Sequence, residues 1–221
     1  MRISELSRRS GVPVATIKYY LREDLLPKGA AVSTTQADYS EAHLQRLRLV
    51  RALVEVAEVP LARIRAVLAA VDNPDLDLHT VLGTAIFAMS ATPESHPGDP
   101  AWDRAAEQTD ALLAELDWRV TPDSPARVQL TRALAAMQAL GRPATPEMLR
   151  GYASAAHQAA ELDVACIDPE APREEALLHA ISLSALMEQS LSALRRLAQE
   201  DVSAARFGAA PARTGEGPGA R

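Results

Sequence analysis

Apolar positions recur at helical spacing along most of the chain, with a short irregular stretch near its start. Residues 2–10 place Ile3 and Leu6 on one side of a short helix that Gly11 ends. Pro13 suits the first turn of a second helix, predicted over about 13–23. Ile17, Tyr20 and Leu21 form its apolar face; Ala15, Lys18, Tyr19 and Arg22 lie opposite. Residues 24–39 hold Pro27, Gly29, Val32, a run of Ser/Thr-type positions and Tyr39, which fits a small β-hairpin, or wing. Ser40 and Glu41 open a third helix to about 57, with Leu44, Leu47, Val50 and Val54 inward. Pro60 opens a fourth to about 71, striped by Leu61, Ile64, Val67 and Leu68.

Asn73-Pro74 marks a boundary. A helix is predicted at 76–90, a linker at 92–100, and helices at 101–117, 123–140, 145–162 and 173–206. Residues 208–221 have almost nothing to bury and are expected to form a disordered tail. The fold class is therefore mainly α. A winged helix-turn-helix with a small hairpin spans 1–72, and an all-helical domain spans 73–207.

The last helix is apolar nearly all round, so most of its faces must be covered. It is read either as the core of a bundle or as a helix that also pairs with a second subunit. In the latter case Leu177, Ile181, Met187, Leu191 and Leu194 make the contact in a homodimer.

Charge sharpens the picture. The whole chain carries net −6, yet residues 1–51 hold nine Lys/Arg against five acids. A basic head on an acidic body points to a polyanion at one end. Lys18 and Arg22 suit phosphates or guanine edges, Thr16 lies near a helix N-terminus, and Tyr19 can donate to a phosphate.

Other chemistries find little support. Cys166 is the one cysteine and reads as a buried small apolar residue. His157 and Glu161 stand at i, i+4 and read as a helix-surface pair, so no metal is expected. There is no Gly-rich phosphate loop and no G-x-S-x-G or H-E-x-x-H motif, so neither an enzyme nor a cofactor is expected. No signal peptide or membrane span is evident, and a cytoplasmic location is expected. The bulky groups of the body, Phe87, Trp102, Trp118, Met137, Met148 and Tyr152, are candidates for an effector pocket.

The run MRISELSRRSGVPVATIKYYLREDLLP, followed by ADYSEAHLQRLRLVRAL, resembles the N-terminal domain of MerR-family regulators over about residues 1–72. The match lies in the Met-Arg-Ile start, the Gly11-Val12 turn, Thr-Ile-Lys-Tyr-Tyr at 16–20, Leu-Leu-Pro at 25–27 and Tyr39-Ser40 before a Leu/Arg-rich helix. The resemblance implies a dimer on double-stranded, palindromic DNA, with RNA polymerase as a further partner at a promoter. It implies DNA contacts from Thr16, Lys18, Tyr19 and Arg22, flanked by Ala15. The family's wing arginine, two residues before the final tyrosine, is Ala37 here. Gln36 and Tyr39 are left as the wing's contact residues. The body resembles TetR-type ligand-binding domains only in layout. Three functions stay open: a regulator responding to a small organic effector, a drug-sequestering protein with a secondary head, and a repressor without effector.

Overall fold

The computed structural model describes residues 1–33, 36–90 and 94–208. In chain order it contains α1 (Ile3–Ser10), α2 (Val14–Arg22), β1 (Ala30–Ser33), β2 (Gln36–Asp38) and α3 (Glu41–Arg51). A π-helical turn (Ala52–Val56) extends α3. Then come α4 (Leu61–Asp72), α5 (Leu78–Met89), α6 (Pro100–Leu116), α7 (Pro125–Ala139), α8 (Pro146–Ala165) and α9 (Arg173–Phe207). The mainly α class and the hairpin after the helix-turn-helix agree with the periodicity. The expected tail lies outside the described residues from 209 onward, as do residues 91–93 of the expected linker.

Local chemistry sets the boundaries. Gly11 ends α1 at φ 72°, a left-handed conformation that glycine adopts without a Cβ penalty. Ser40 and His43 close a capping box at the start of α3. Proline at the first helical position opens α6, α7 and α8. The side chains of Asp99 and Thr145 cap α6 and α8 by accepting from backbone N–H groups. The sequence predicts one continuous helix to about residue 57 with Val54 inward. Instead the π turn, with Ala57 N–H donating to Ala52 at 3.0 Å, puts Leu53 fully inside and leaves Val54 half-buried.

The chain divides into two compact units, Met1–Leu183 and Ser184 onward. In the first unit, Leu6, Ile17, Leu44, Leu47 and Ile64 form the core of the helix-turn-helix. Val81 and Ala85 of α5, and Leu177 and Ile181 of α9, belong to the same buried cluster. The expected boundary at residue 72/73 is thus not a break in the core. Leu177 and Ile181 are 0% exposed, so within this unit they are core residues and not a surface for a second subunit. A smaller cluster joins α6, α7 and α8 through Ala105, Leu112, Leu134 and Leu149.

Arginines tie the core's helices together. Arg46 of α3 is nearly buried, pairs with Asp72 at the end of α4, and lies 3.9 Å from Glu174 of α9. Arg173 donates to the carbonyl of Asn73 at 2.6 Å, satisfying a turn that follows α4. Arg63 of α4 donates to the Ser90 carbonyl at 2.7 Å, at the end of α5.

The second unit is described to Gly208 and consists of the rest of α9. Along it Leu186, Met187, Leu191, Leu194, Leu197 and Val202 are exposed.

The wing is an antiparallel pair in which Ala30 faces Asp38 and Ala31 faces Ala37. The Met1 amino group donates to Asp38 at 2.7 Å and to the Tyr39 carbonyl at 2.6 Å, fastening the hairpin beside α1. That ammonium also holds the Asp38 carboxyl below the usual carboxylate range. A Cβ on Gly29 would stand 2.7 Å from the Asp38 carbonyl oxygen, so the hairpin closes only over glycine. Gly29→Ala is expected to cost about 1–3 kcal/mol in chemical denaturation. Amide shifts confined to residues near 29 and 38 would show that the wing is what yields.

Candidate nucleic-acid interface

Helix α2 buries Ile17 and Tyr20 and so must turn the residues between them outward. Ala15, Lys18 and Arg22 are exposed, and Thr16 and Tyr19 are half-buried beside them. The Arg22 guanidinium lies over the Tyr19 ring at 5.9 Å, and Tyr19 in turn contacts Tyr20. The Tyr20 phenol is raised above its usual value, first by burial and then by Glu55 and Tyr19, so it remains a protonated core group. Arg65 of α4 holds Glu23, the residue that ends α2, at 2.6 Å.

Between the start of α1, α2 and the wing runs a groove of about 610 Å³. Arg2, Ser4, Lys18 and Gln36 line it, with Tyr39 at its inner side. Tyr39 is buried and packs edge-on against His43 at 5.3 Å; its ring serves the core of the head. Ala37 puts no charge where a wing arginine was expected. Arg2 lies in the same groove as Lys18. The helix predicted over 2–10 gave Arg2 no role, and in the structure Arg2 is the N-cap just ahead of α1; its charge was the only signal.

Ion pairing divides the head's basic residues into two sets. Arg8 pairs with Glu5, Arg9 with Glu41, Arg46 with Asp72 and Arg51 with Glu55. Among the described residues, Arg2, Lys18, Arg22, Lys28 and Arg48 have no carboxylate partner. Neutralised arginines gain little from a phosphate, whereas unneutralised cations on a helix-turn-helix release counterions when one binds.

The sequence profile of the MerR HTH family regulatory proteins matches residues 1–71. A candidate transcriptional regulator of known structure, SCO5550 from Streptomyces coelicolor A3(2), is 40% identical, with a TM-score of 0.74 over 95% of this chain and 99% of that one. The chain belongs to the MerR family. It is a MerR-type transcriptional regulator with a DNA-binding head and an all-helical body. No curated protein is similar enough in sequence to count as a match.

The body of this MerR protein places the other candidates apart. Trp102 is buried and meets His96 edge-on at 5.6 Å. Trp118 stacks on His157 at 5.6 Å and lines a separate cleft of about 260 Å³. Met137 packs on the α6–α8 cluster, while Met148 and Tyr152 are exposed on α8. These residues do not converge, and among them only Phe87 lines the larger cavity beside α4 and α5. His157 and Glu161 form the surface pair the spacing implied, at 3.4 Å. Cys166 corrects the expectation of burial: it caps the end of α8 and is exposed, because only Leu149 and Ala153 of that helix are buried. Among the described residues no three His, Cys, Asp or Glu side chains gather at metal-binding distance. No helix among them is long and apolar enough to cross a membrane.

Proposed function

We propose that the protein is a homodimeric, sequence-specific regulator whose hold on its operator responds to a small organic effector bound in the body. The observation that carries the DNA half is the pairing pattern of the head. Its unneutralised cations include Lys18 and Arg22 on the outward face of α2 and Arg2 in the adjoining groove. In this reading α2 enters the major groove, where Thr16, Lys18, Tyr19 and Arg22 reach bases or phosphates and Ala15 makes close contact. Gln36 of the wing reaches the backbone. Tyr39 acts by holding the wing against the head.

A second copy is the proposed occupant of the exposed α9 face. Met187, Leu191 and Leu194 stand at i, i+4, i+7, the spacing of a helix-pairing seam. Two heads related by a two-fold axis match a palindromic operator. The site of action is then the cytoplasm, at a promoter, with RNA polymerase as the neighbouring complex.

The test is binding of full-length protein to its own upstream DNA at several salt concentrations. Affinity is expected to fall on a log–log plot with a slope of about −0.9 per phosphate contacted. A flat response would remove the electrostatic basis of the proposal.

A further inference from the structure

A cavity of about 500 Å³, away from the DNA-facing groove, lies between α4, α5 and the loop joining α6 to α7. Its size falls within the range of small-molecule sites. Gly83 is the informative position in its wall. It sits inside α5 and is half-buried, and a glycine there destabilises a helix relative to alanine. A Cβ at this position would meet no atom within 4 Å. Neither packing nor a left-handed backbone accounts for the glycine. Its missing side chain keeps the cavity open down to the helix backbone.

The surrounding groups define what would fill that space. Phe87, one turn after Gly83, brings a half-buried ring to the same wall. The Thr84 hydroxyl donates to the Thr80 carbonyl at 2.9 Å, which leaves its oxygen as an acceptor. Arg63 and Asp123 bring opposite charges to the lining, so neither an anion nor a cation gains from the pair as a whole. We propose that this cavity binds an uncharged, flat aromatic molecule bearing a hydroxyl group, stacked along Phe87 over Gly83. This rests on the effector-responsive reading above and supplies its site and ligand class. A route to the DNA is at hand, since α4 lines the cavity with Arg63 and braces the end of α2 through Arg65 and Glu23.

Nile red, an uncharged planar aromatic, is a suitable probe of the aromatic half of the site in the full-length protein. Saturable binding near one dye per chain is expected. Gly83→Leu and Phe87→Ala should each weaken it at least tenfold, with the circular dichroism spectrum unchanged. Gly83→Ala, the milder variant, should raise Tm and weaken binding less. Unchanged affinity in both Gly83 variants, or no saturable binding by the parent protein, would overturn the site. Tighter binding of the anionic dye 8-anilinonaphthalene-1-sulfonate, with the same Gly83 dependence, would overturn the proposed ligand class. Operator affinity measured on the dye-saturated protein separates the two levels. If it does not change although binding depends on Gly83, the effector-responsive reading fails while the site stands.

Discussion

Replacing Lys18 and Arg22 together with alanine is expected to weaken operator binding by about 30-fold to 10⁴-fold, on the order of 1–3 kcal/mol per residue if each reads a base. Both side chains are exposed on the face of α2 opposite Ile17 and Tyr20, so their loss opens no cavity. Among the described residues, the side-chain interaction at stake is Arg22 over the Tyr19 ring, which at an exposed site is worth about 0.5–1 kcal/mol. Thermal stability should therefore change little. Arg8→Ala is the matched control: Arg8 is also an exposed head arginine, but it already pairs with Glu5 at 2.6 Å. Its removal is expected to change affinity less than threefold. Fluorescence anisotropy at fixed salt measures all three proteins. Equal losses from Arg8 and from the Lys18/Arg22 pair would mean that net charge, and not the recognition helix, drives binding.

Substitutions along α9 are expected to divide into two kinds. Ile181→Ala or Leu177→Ala removes a fully buried side chain from the head's core and should cost about 2–5 kcal/mol. The loss should appear in the unfolding of the whole first unit, since these residues share one cluster with Leu6, Ile17 and Leu44. Leu191 and Leu194 are 48% and 58% exposed, so Glu at both should leave the fold of the single chain intact. If the proposed seam is right, sedimentation then gives half the parent mass and operator affinity falls. A Leu191→Glu/Leu194→Glu protein that keeps the parent mass would place the subunit contact elsewhere. An Ile181→Ala protein with unchanged Tm would contradict its place in the core.

The helices were legible because their caps and stripes are local. Gly11, Pro13, Ser40 and Pro60 act on the backbone within a turn of themselves, so their effects could be read without knowing the rest of the molecule. The outward face of α2 was legible for a similar reason: burying Ile17 and Tyr20 leaves Lys18 and Arg22 one direction to point.

What covers a stripe is another matter. Leu177 and Leu191 look alike along α9, yet one is fully buried in the core and the other is exposed, because periodicity reports an apolar face and not its partner. Bulk misled in the same way: Trp102, Met137 and Tyr152 are large, but size does not make side chains converge, and the cavity formed around a glycine. Arg46 lies in the Leu/Arg-rich run of α3, and only the fold brings Asp72 and Glu174 to it from the end of α4 and the start of α9. The sequence by itself determined the elements, their order and the exposed basic face of α2, since each follows from backbone chemistry over a few residues. Only the tertiary structure decided which apolar residues close the core, which cations are already neutralised and where an open cavity remains. Arg46 and Arg173 show why: their partners meet them in space from 26 to more than 100 positions away in the chain.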